Sequence, residues 1–302
     1  MELDLSFFEN RRILITGGGG YLGSKLAEVL TTTTSEIYLL DVSFNEIAAR
    51  VISESPKVTK VCCDLTNKPE IEDALSNFYP DLIFHFAALL NRDRDFSHYE
   101  QLYKVNVVGT LNILEVLSSL PYTGFYYASS SEVYGNRNQS PFREDQFPFP
   151  ASPYSLTKLM AEHLIASYSQ INEKPYTILR LFNFYGPDMP PTFFLSQLED
   201  SLKKNIPCEM TGGEQKRDYI HINELIELML KVSSKPESNH EIVNICSGEA
   251  TSIKELAMKI AKQHAKPHLL RIGALPYRAN EIWEMVGDNR KILSYINNND
   301  CG

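Results

Sequence analysis

Short apolar runs alternate with segments of helical spacing through the first half of the chain. Residues 13–16, 37–40, 58–63, 82–86 and 125–128 form strand-like runs. Residues 22–30, 71–78 and 103–120 carry apolar side chains at helical intervals between them. This alternation predicts an α/β fold, a doubly wound parallel sheet of Rossmann type with helices on both faces. A Pro- and Phe-rich loop over 136–151 leads into a predicted helix at 152–170 and a strand at 176–182. After Pro187 the pattern changes: Pro190-Pro191, Pro207 and Gly212-Gly213 separate shorter elements, and 224–232 and 253–263 are predicted helices. The expected division is a dinucleotide-binding domain over 1–186 and a smaller α/β substrate lobe over 187–302, with a strand at 242–245 free to return to the main sheet.

Ligands of such sheets bind beyond the carboxyl ends of the strands, so the residues that close each run carry the candidate chemistry. The first run enters Gly17-Gly18-Gly19-Gly20-Tyr21-Leu22-Gly23. Gly17 can take the positive φ of a tight strand-to-helix turn. Gly20 lacks a Cβ, so a pyrophosphate can approach its backbone, and Gly23 allows close packing of the helix. The first-turn amides beyond Gly20, including those of Tyr21 and Leu22, present an anion site. Asp41 closes the second run at the distance expected of the acid that holds an adenine ribose, and its charge favours NAD over NADP. Arg50, downstream, is the residue that could serve a 2′-phosphate instead. Asp64-Leu65 closes the third run and His85-Phe86-Ala87-Ala88 the fourth. The small Ala87 and Ala88 leave room for a cofactor, and His85 is read as a satisfied core histidine.

Composition narrows the partners. Hydrophobic residues make up 43% of 302 residues and charged residues 22%, with a net charge of -9. That balance disfavours a nucleic acid or an anionic membrane as the main partner. No apolar stretch approaches the roughly 20 residues of a membrane span. The residues before the glycine loop do not read as a signal peptide. Cys62, Cys63, Cys208, Cys246 and Cys301 form no CxxC pair, so neither a metal site nor a disulfide is expected, and a reduced cytoplasmic setting fits.

Tyr154 and Lys158 stand one turn apart on the predicted helix at 152–170 and share a face. An unperturbed phenol, with a pKa of about 10, is a poor base at neutral pH. A neighbouring ammonium can lower it by roughly 1–3 units. A hydroxyl from the Ser129-Ser130-Ser131 cluster can steady the reacting oxygen.

These features and others resemble the extended short-chain dehydrogenase/reductases, in their nucleotide-sugar epimerase/dehydratase branch. The resemblance covers nearly the whole chain. It rests on Thr16-Gly17…Gly20…Gly23, Asp64-Leu65, Phe86-Ala87-Ala88, Asn106-Val107-Val108-Gly109-Thr110, Ser129-Ser130-Ser131-Glu132-Val133-Tyr134-Gly135, Tyr154…Lys158, Arg180-Leu181-Phe182-Asn183-Phe184-Tyr185-Gly186-Pro187, Arg217-Asp218-Tyr219-Ile220-His221 and Val286-Gly287-Asp288-Asn289…Lys291. It implies that Tyr154 is the catalytic acid–base. Lys158 would bind the nicotinamide ribose and lower the tyrosine pKa, and Ser130 is the catalytic hydroxyl. Asn106 would support the lysine near the cofactor, and Phe182 would lie by the nicotinamide. Asn183, Arg217 and Arg278 match positions that hold a substrate diphosphate, and Glu281 one that meets the nucleotide ribose. The bland alternatives are an ion pair between Arg217 and Asp218 at a strand edge and a solvated loop charge at Arg278. A homodimer through paired helices is also implied.

The resemblance implies hydride transfer at C4 of a nucleoside-diphosphate hexose. Many hexose 4,6-dehydratases carry Asp-Glu after the catalytic hydroxyl as acid and base for water loss; Ser131-Glu132 lacks the Asp but keeps Glu132 as a candidate catalytic residue, and families resembling GDP-mannose dehydratase and UDP-glucuronate decarboxylase carry Ser-Glu here. A dehydratase is weakened, not excluded, and the 4-epimerase reading is placed first on the breadth of the family, with a 4-keto-sugar reductase or 4,6-dehydratase as alternatives. A non-catalytic NAD-binding scaffold or sensor is the alternative of another class, and it has no need of Ser130, Tyr154 and Lys158 together.

Overall fold

The computed structural model describes residues 3–91, 94–277 and 281–297. The first half runs β1 (Arg12–Thr16), α1 (Tyr21–Leu30), β2 (Glu36–Asp41), α2 (Glu46–Glu54), β3 (Val58–Cys62), α3 (Lys68–Ala74), β4 (Leu82–His85), α4 (Tyr99–Tyr103), α5 (Gly109–Leu117) and β5 (Gly124–Ser130). The second runs α6 (Pro153–Asn172), β6 (Thr177–Leu181), β7 (Asn183–Tyr185), α7 (Phe194–Lys203), β8 (Cys208–Met210), β9 (Lys216–His221), α8 (Ile222–Ser233), β10 (Glu241–Ile245), β11 (Ala250–Ser252), α9 (Ile253–Gln263), β12 (Leu270–Ile272), β13 (Glu284–Met285) and α10 (Arg290–Asn297).

A seven-stranded sheet has the order β10-β6-β5-β4-β1-β2-β3. Every pairing in it is parallel. Successive residues of a strand face opposite sides, and both sides of the central strands are covered, which is why those strands read as near-continuous apolar runs, while the edge strand β3 leaves Thr59 and Lys60 exposed. Ile13, Ile15, Leu39 and Phe84 pack with α1 and α8 on one face. Leu14, Leu40, Ile83, Phe125 and Tyr127 pack against α3, α5 and α6 on the other. The register sets the rim: Thr16 lies opposite Leu40 on one side and His85 on the other, and Ser130 opposite Leu181.

Some elements differ from the sequence expectation. The helix expected at 103–120 starts at Tyr99 as α4, passes a π-helical turn at Lys104–Val108, and ends as α5 at Leu117. The helix expected at 71–78 is α3, which starts earlier because Pro69 suits a first helical turn. Helix α2 was not anticipated; Asn45 caps it by accepting from the Ala48 amide.

Strand β10 enters the main sheet beside β6. The remaining strands after β6 form small sheets. The first half of β9 lies between β11 and β13, and its second half pairs with β7. Strands β8 and β12 pair with each other, and α7 and α9 close a core of Leu198, Leu202, Met210, Ala257 and Ala261. Contacts across the chain fix this part to α1. The Tyr21 hydroxyl donates to the Pro187 carbonyl (2.9 Å), and Lys25 pairs with Asp188 (3.1 Å).

Candidate active site

The glycine loop folds as its sequence requires. Gly17 has φ +71°, and a Cβ there would lie 2.6 Å from the Ala87 nitrogen. A Cβ on Gly23 would meet the Gly17 carbonyl, so α1 sits directly against the loop. A Cβ on Gly20, by contrast, would meet only the Gly17 oxygen, at 3.2 Å. The first turn of α1 has no side-chain cap, and its helical bonding begins with Ser24 N–H donating to the Gly20 carbonyl (3.0 Å). The amides of Tyr21, Leu22 and Gly23 precede that bond, which is the arrangement that binds a phosphate.

Asp41 ends β2 beside this loop. Its Oδ2 accepts the Gly19 amide (3.1 Å), and its Oδ1 accepts the Val42 amide (2.7 Å). Burial raises its pKa, against the backbone donors that lower it. Arg50 is engaged elsewhere, in an ion pair with Glu28 at 2.6 Å. The residues at the loop therefore fit a dinucleotide, with Asp41 beside the turn.

At the other strand ends the placements differ. Ala88 is exposed and Ala87 and Phe86 are half-buried, on the rim. Asp64 is exposed and accepts the Thr66 amide (2.8 Å), a turn contact. The side chain of Leu65 is buried in the core, so only its backbone can face a ligand. Phe182 also corrects its expectation. It is 2% exposed, and its ring packs among Val133, Tyr134, Cys246 and Met285, so the side chain does not face the rim.

Helix α6 presents the Tyr154 and Lys158 pair. A capping box, in which Ser152 and Ser155 each hold the other's backbone amide, starts the helix, with Pro153 in its first turn. Tyr154 is half-buried. Lys158 is 2% exposed, and its ammonium lies over the Tyr127 ring, 4.2 Å from the centroid. Burial pulls its pKa down to about 7, with Glu162 acting to raise it. Both Tyr154 and Glu162 act electrostatically on Tyr127, so these groups lie together beside β5. Ser130 ends β5, and its hydroxyl accepts the Glu132 amide (3.2 Å). The Glu132 carboxylate in turn accepts from the Ser152 hydroxyl (3.4 Å) at the start of α6. Ser131 is buried and donates to the Met285 sulfur (3.1 Å).

Asn106, in the π-helical turn, is a clamp. Its Oδ1 accepts the Leu89 amide (2.7 Å), while its Nδ2 donates to the Leu89 carbonyl (3.1 Å) and the Thr157 hydroxyl (3.0 Å). It thus joins the segment after β4 to the helix turn that carries Lys158.

On the facing side, Asn183 is half-buried near Met285, its Nδ2 3.9 Å from the sulfur. Arg217 pairs with Glu281 (2.8 Å), the side chains being 12% and 8% exposed. Arg217 also donates to the Ile282 carbonyl (2.7 Å). Burial lowers its pKa, and Glu281, Tyr219 and Glu132 oppose the shift. The alternative pairing with Asp218 is incorrect. Asp218 points to the other side and accepts from the Ser247, Gly248 and Gly287 amides. Arg278 lies outside the described residues.

Sequence reasoning missed the buried pair of Glu162 and Arg180. Arg180 donates to both carboxylate oxygens of Glu162 (3.0 and 2.7 Å), and the Ser129 hydroxyl donates to the same carboxylate. Glu162 stands one turn after Lys158 on α6. That spacing was available as a signal, whereas its pairing with β6 was not.

The parallel sheet, the glycine turn and the Tyr154 and Lys158 pair beside the strand ends define a dinucleotide-binding enzyme fold. The chain belongs to the NAD dependent epimerase/dehydratase family, which it matches over residues 13–246. It is 29% identical over 252 residues to a putative UDP-glucose 4-epimerase of Methanocaldococcus jannaschii, covering 81% of this chain and 79% of that protein. It is 27% identical over 291 residues to GDP-6-deoxy-D-talose 4-dehydrogenase of Aggregatibacter actinomycetemcomitans, covering 95% and 92%. Among solved structures it is similar to MoeE5 in complex with UDP-glucuronic acid and NAD, with a TM-score of 0.82, 27% identity and coverage of 94% and 92%.

Proposed function

We propose that this chain is an NAD-dependent enzyme acting at C4 of a nucleoside-diphosphate hexose, and that its net reaction is 4-epimerisation. The observation that carries this reading is the buried Lys158 ammonium one turn from Tyr154, beside the end of β5. A lysine that has lost hydration gains from an adjacent phenolate, and the phenolate gains from it. Tyr154 then takes the C4 hydroxyl proton as the hydride leaves C4, and returns it when the sugar is reduced on its other face. Ser130 hydrogen-bonds the same oxygen. Bound NAD supplies the hydride acceptor and donor. Gly17, Gly20, Gly23, Asp41 and the rim at Phe86, Ala87 and Ala88 would hold it.

Asn183, Arg217 and Glu281, together with Arg278, would hold the diphosphate and nucleotide ribose. Arginine suits this task through its planar fork of donors. Epimerisation is favoured over 4,6-dehydration because Ser131, where many hexose 4,6-dehydratases carry an acid, is buried against Met285 rather than presented with Glu132. A 4-keto-sugar reductase is the second reading, supported by the similarity to the talose 4-dehydrogenase along 95% of this chain.

The same reading includes a homodimer and a cytoplasmic setting. Phe96 and Tyr103, at 63% and 38% exposure, give the helical face around α4 an apolar surface for a second copy. Incubation with a panel of nucleoside-diphosphate hexoses tests the reaction by product mass. Unchanged mass with inverted C4 is expected. Loss of water, or gain of two hydrogens from NADH, would replace the epimerase reading. Absence of turnover with NAD bound would favour the scaffold.

A further inference from the structure

His85 closes β4 and is 0% exposed, between Thr16 of β1 and Thr110 of α5. The Phe125 and Tyr127 rings of β5 flank it, each centroid at 5.6 Å, and the Lys158 cation acts on it from α6. The Thr16 hydroxyl is 2.6 Å from Nδ1, and the Thr110 hydroxyl is 2.9 Å from Nε2.

Donor and acceptor chemistry fixes the proton directions along this row of hydroxyls and imidazole. Thr110 lies 2.7 Å from the Asn106 carbonyl, which can only accept, so the Thr110 hydrogen goes there. Thr110 must then accept from His85, which places the imidazole proton on Nε2. Nδ1 is left as an acceptor, and the Thr16 hydroxyl donates to it. Thr16 in turn accepts the Ala87 amide (3.4 Å). In the opposite arrangement the Thr16 hydroxyl would receive two donors with no acceptor for its own proton, and the Thr110 and Asn106 oxygens would stand 2.7 Å apart with no hydrogen between them. Only one direction satisfies every group, as buried polar groups require.

We propose that His85 is a positioning residue. In a fixed neutral Nε2–H form, it joins the cofactor rim at Ala87 to the Asn106 turn, and through Asn106 to Leu89 and Thr157 beside Lys158. Burial and the Lys158 charge hold the His85 pKa down to about 3, which agrees with a ring that never charges. A cation there would also face Lys158 across a dry core. The role rests on the proposed NAD-dependent reading, although the proton direction does not.

The test uses the full chain, labelled with ¹⁵N, and long-range ¹H–¹⁵N NMR. The His85 signals are assigned by their loss in His85→Gln. A protonated Nε2 and a bare Nδ1, unchanged from pH 8 to pH 5, are expected. A proton on Nδ1, or titration near pH 6–7, overturns the proposal. In parallel, NAD dissociation constants are measured without sugar. Thr110→Val should weaken NAD about tenfold, since small displacements at a preorganised site carry such losses. Thr110→Ser, which keeps the hydroxyl, should restore affinity to within about twofold of the parent. NAD binding by Thr110→Val at the parent affinity, or no recovery in Thr110→Ser, also overturns it. Should the valine variant fail to fold, the NMR measurement on the parent chain still decides. Failure to turn over any nucleotide sugar would remove the epimerase reading and leave these results standing.

Discussion

Removing one partner of the Glu162 and Arg180 pair should be the most damaging change of charge in the core. Both side chains are nearly inaccessible, at 4% and 2% exposure. Burial works against the Arg180 cation, but the hydrogen bonds and charge of Glu162 outweigh it and raise the guanidinium pKa. Glu162→Met leaves that cation buried without its carboxylate and removes the acceptor of the Ser129 hydroxyl. The stranded charge costs about 3–5 kcal/mol, and the lost hydrogen bond adds about 1 kcal/mol. With an unfolding entropy of about 2.1 cal/mol/K per residue, the melting temperature of a chain of this size should fall by roughly 6–10 °C. Arg180→Met should cost a similar amount, since it strands the carboxylate. The double variant Glu162→Met/Arg180→Met replaces the pair with apolar groups, and should lie within about 2 kcal/mol of the parent. Urea unfolding followed by circular dichroism, with all members of the cycle at one pH, measures these differences. A double variant as unstable as the sum of the singles would refute the reasoning, because it would show that the two groups do not depend on each other.

Further predictions concern the site itself. Tyr154→Phe should lower the rate at least about a hundredfold, the scale of a general acid–base, while isothermal titration still finds NAD bound. Normal turnover would remove Tyr154 from the chemistry. Lys158 has its pKa lowered to about 7 in the cofactor-free fold. Between that value and the ordinary lysine pKa of about 10.4, the unfolded chain holds a proton that the folded chain has released. This group therefore makes stability rise with pH across that window, and below it the destabilising effect is complete. Lys158→Met should accordingly stabilise the cofactor-free protein by about 2–4 kcal/mol at pH 6 and by less at pH 9.5, read from urea midpoints. An equal gain at both pH values would contradict the assigned shift. Asp41→Ala should weaken NAD more than NADP in direct binding measurements, because its carboxylate meets a ribose hydroxyl and repels a 2′-phosphate. Equal losses would undo that assignment.

The main sheet was legible because its central strands are buried on both faces and so read as near-continuous apolar runs, and because most of the crossover helices keep their own spacing. Helix α2 escaped notice because Ile47 and Val51 are its few core-facing apolar anchors, set among polar neighbours. The π-helical turn was invisible because no spacing in Lys104–Val108 marks it off from the helix that continues on either side; it carries Asn106. The glycine loop and the Tyr154 and Lys158 pair were readable as local spacing. Arg217 and Glu281 were each identified as site residues, but their ion pair joins positions 64 residues apart and no periodicity announces it. Leu65 and Phe182 were placed at the rim by motif, and their side chains turn inward because apolar groups at a strand end gain more from the core than from a polar cleft. His85 was read as a satisfied core histidine, and the structure shows it so.

Strand β10 has a consequence for how the protein can be divided. It comes from deep in the second half of the sequence, yet it covers β6, whose residues Thr177–Leu181 are all buried. A fragment ending at Gly186 would leave that leucine-rich strand with open amides and carbonyls along one side, a template for pairing with other chains. The half that carries the glycine loop is thus unfinished at the ribosome until about sixty further residues have emerged. Truncation products of that length should form aggregates rather than a small cofactor-binding protein.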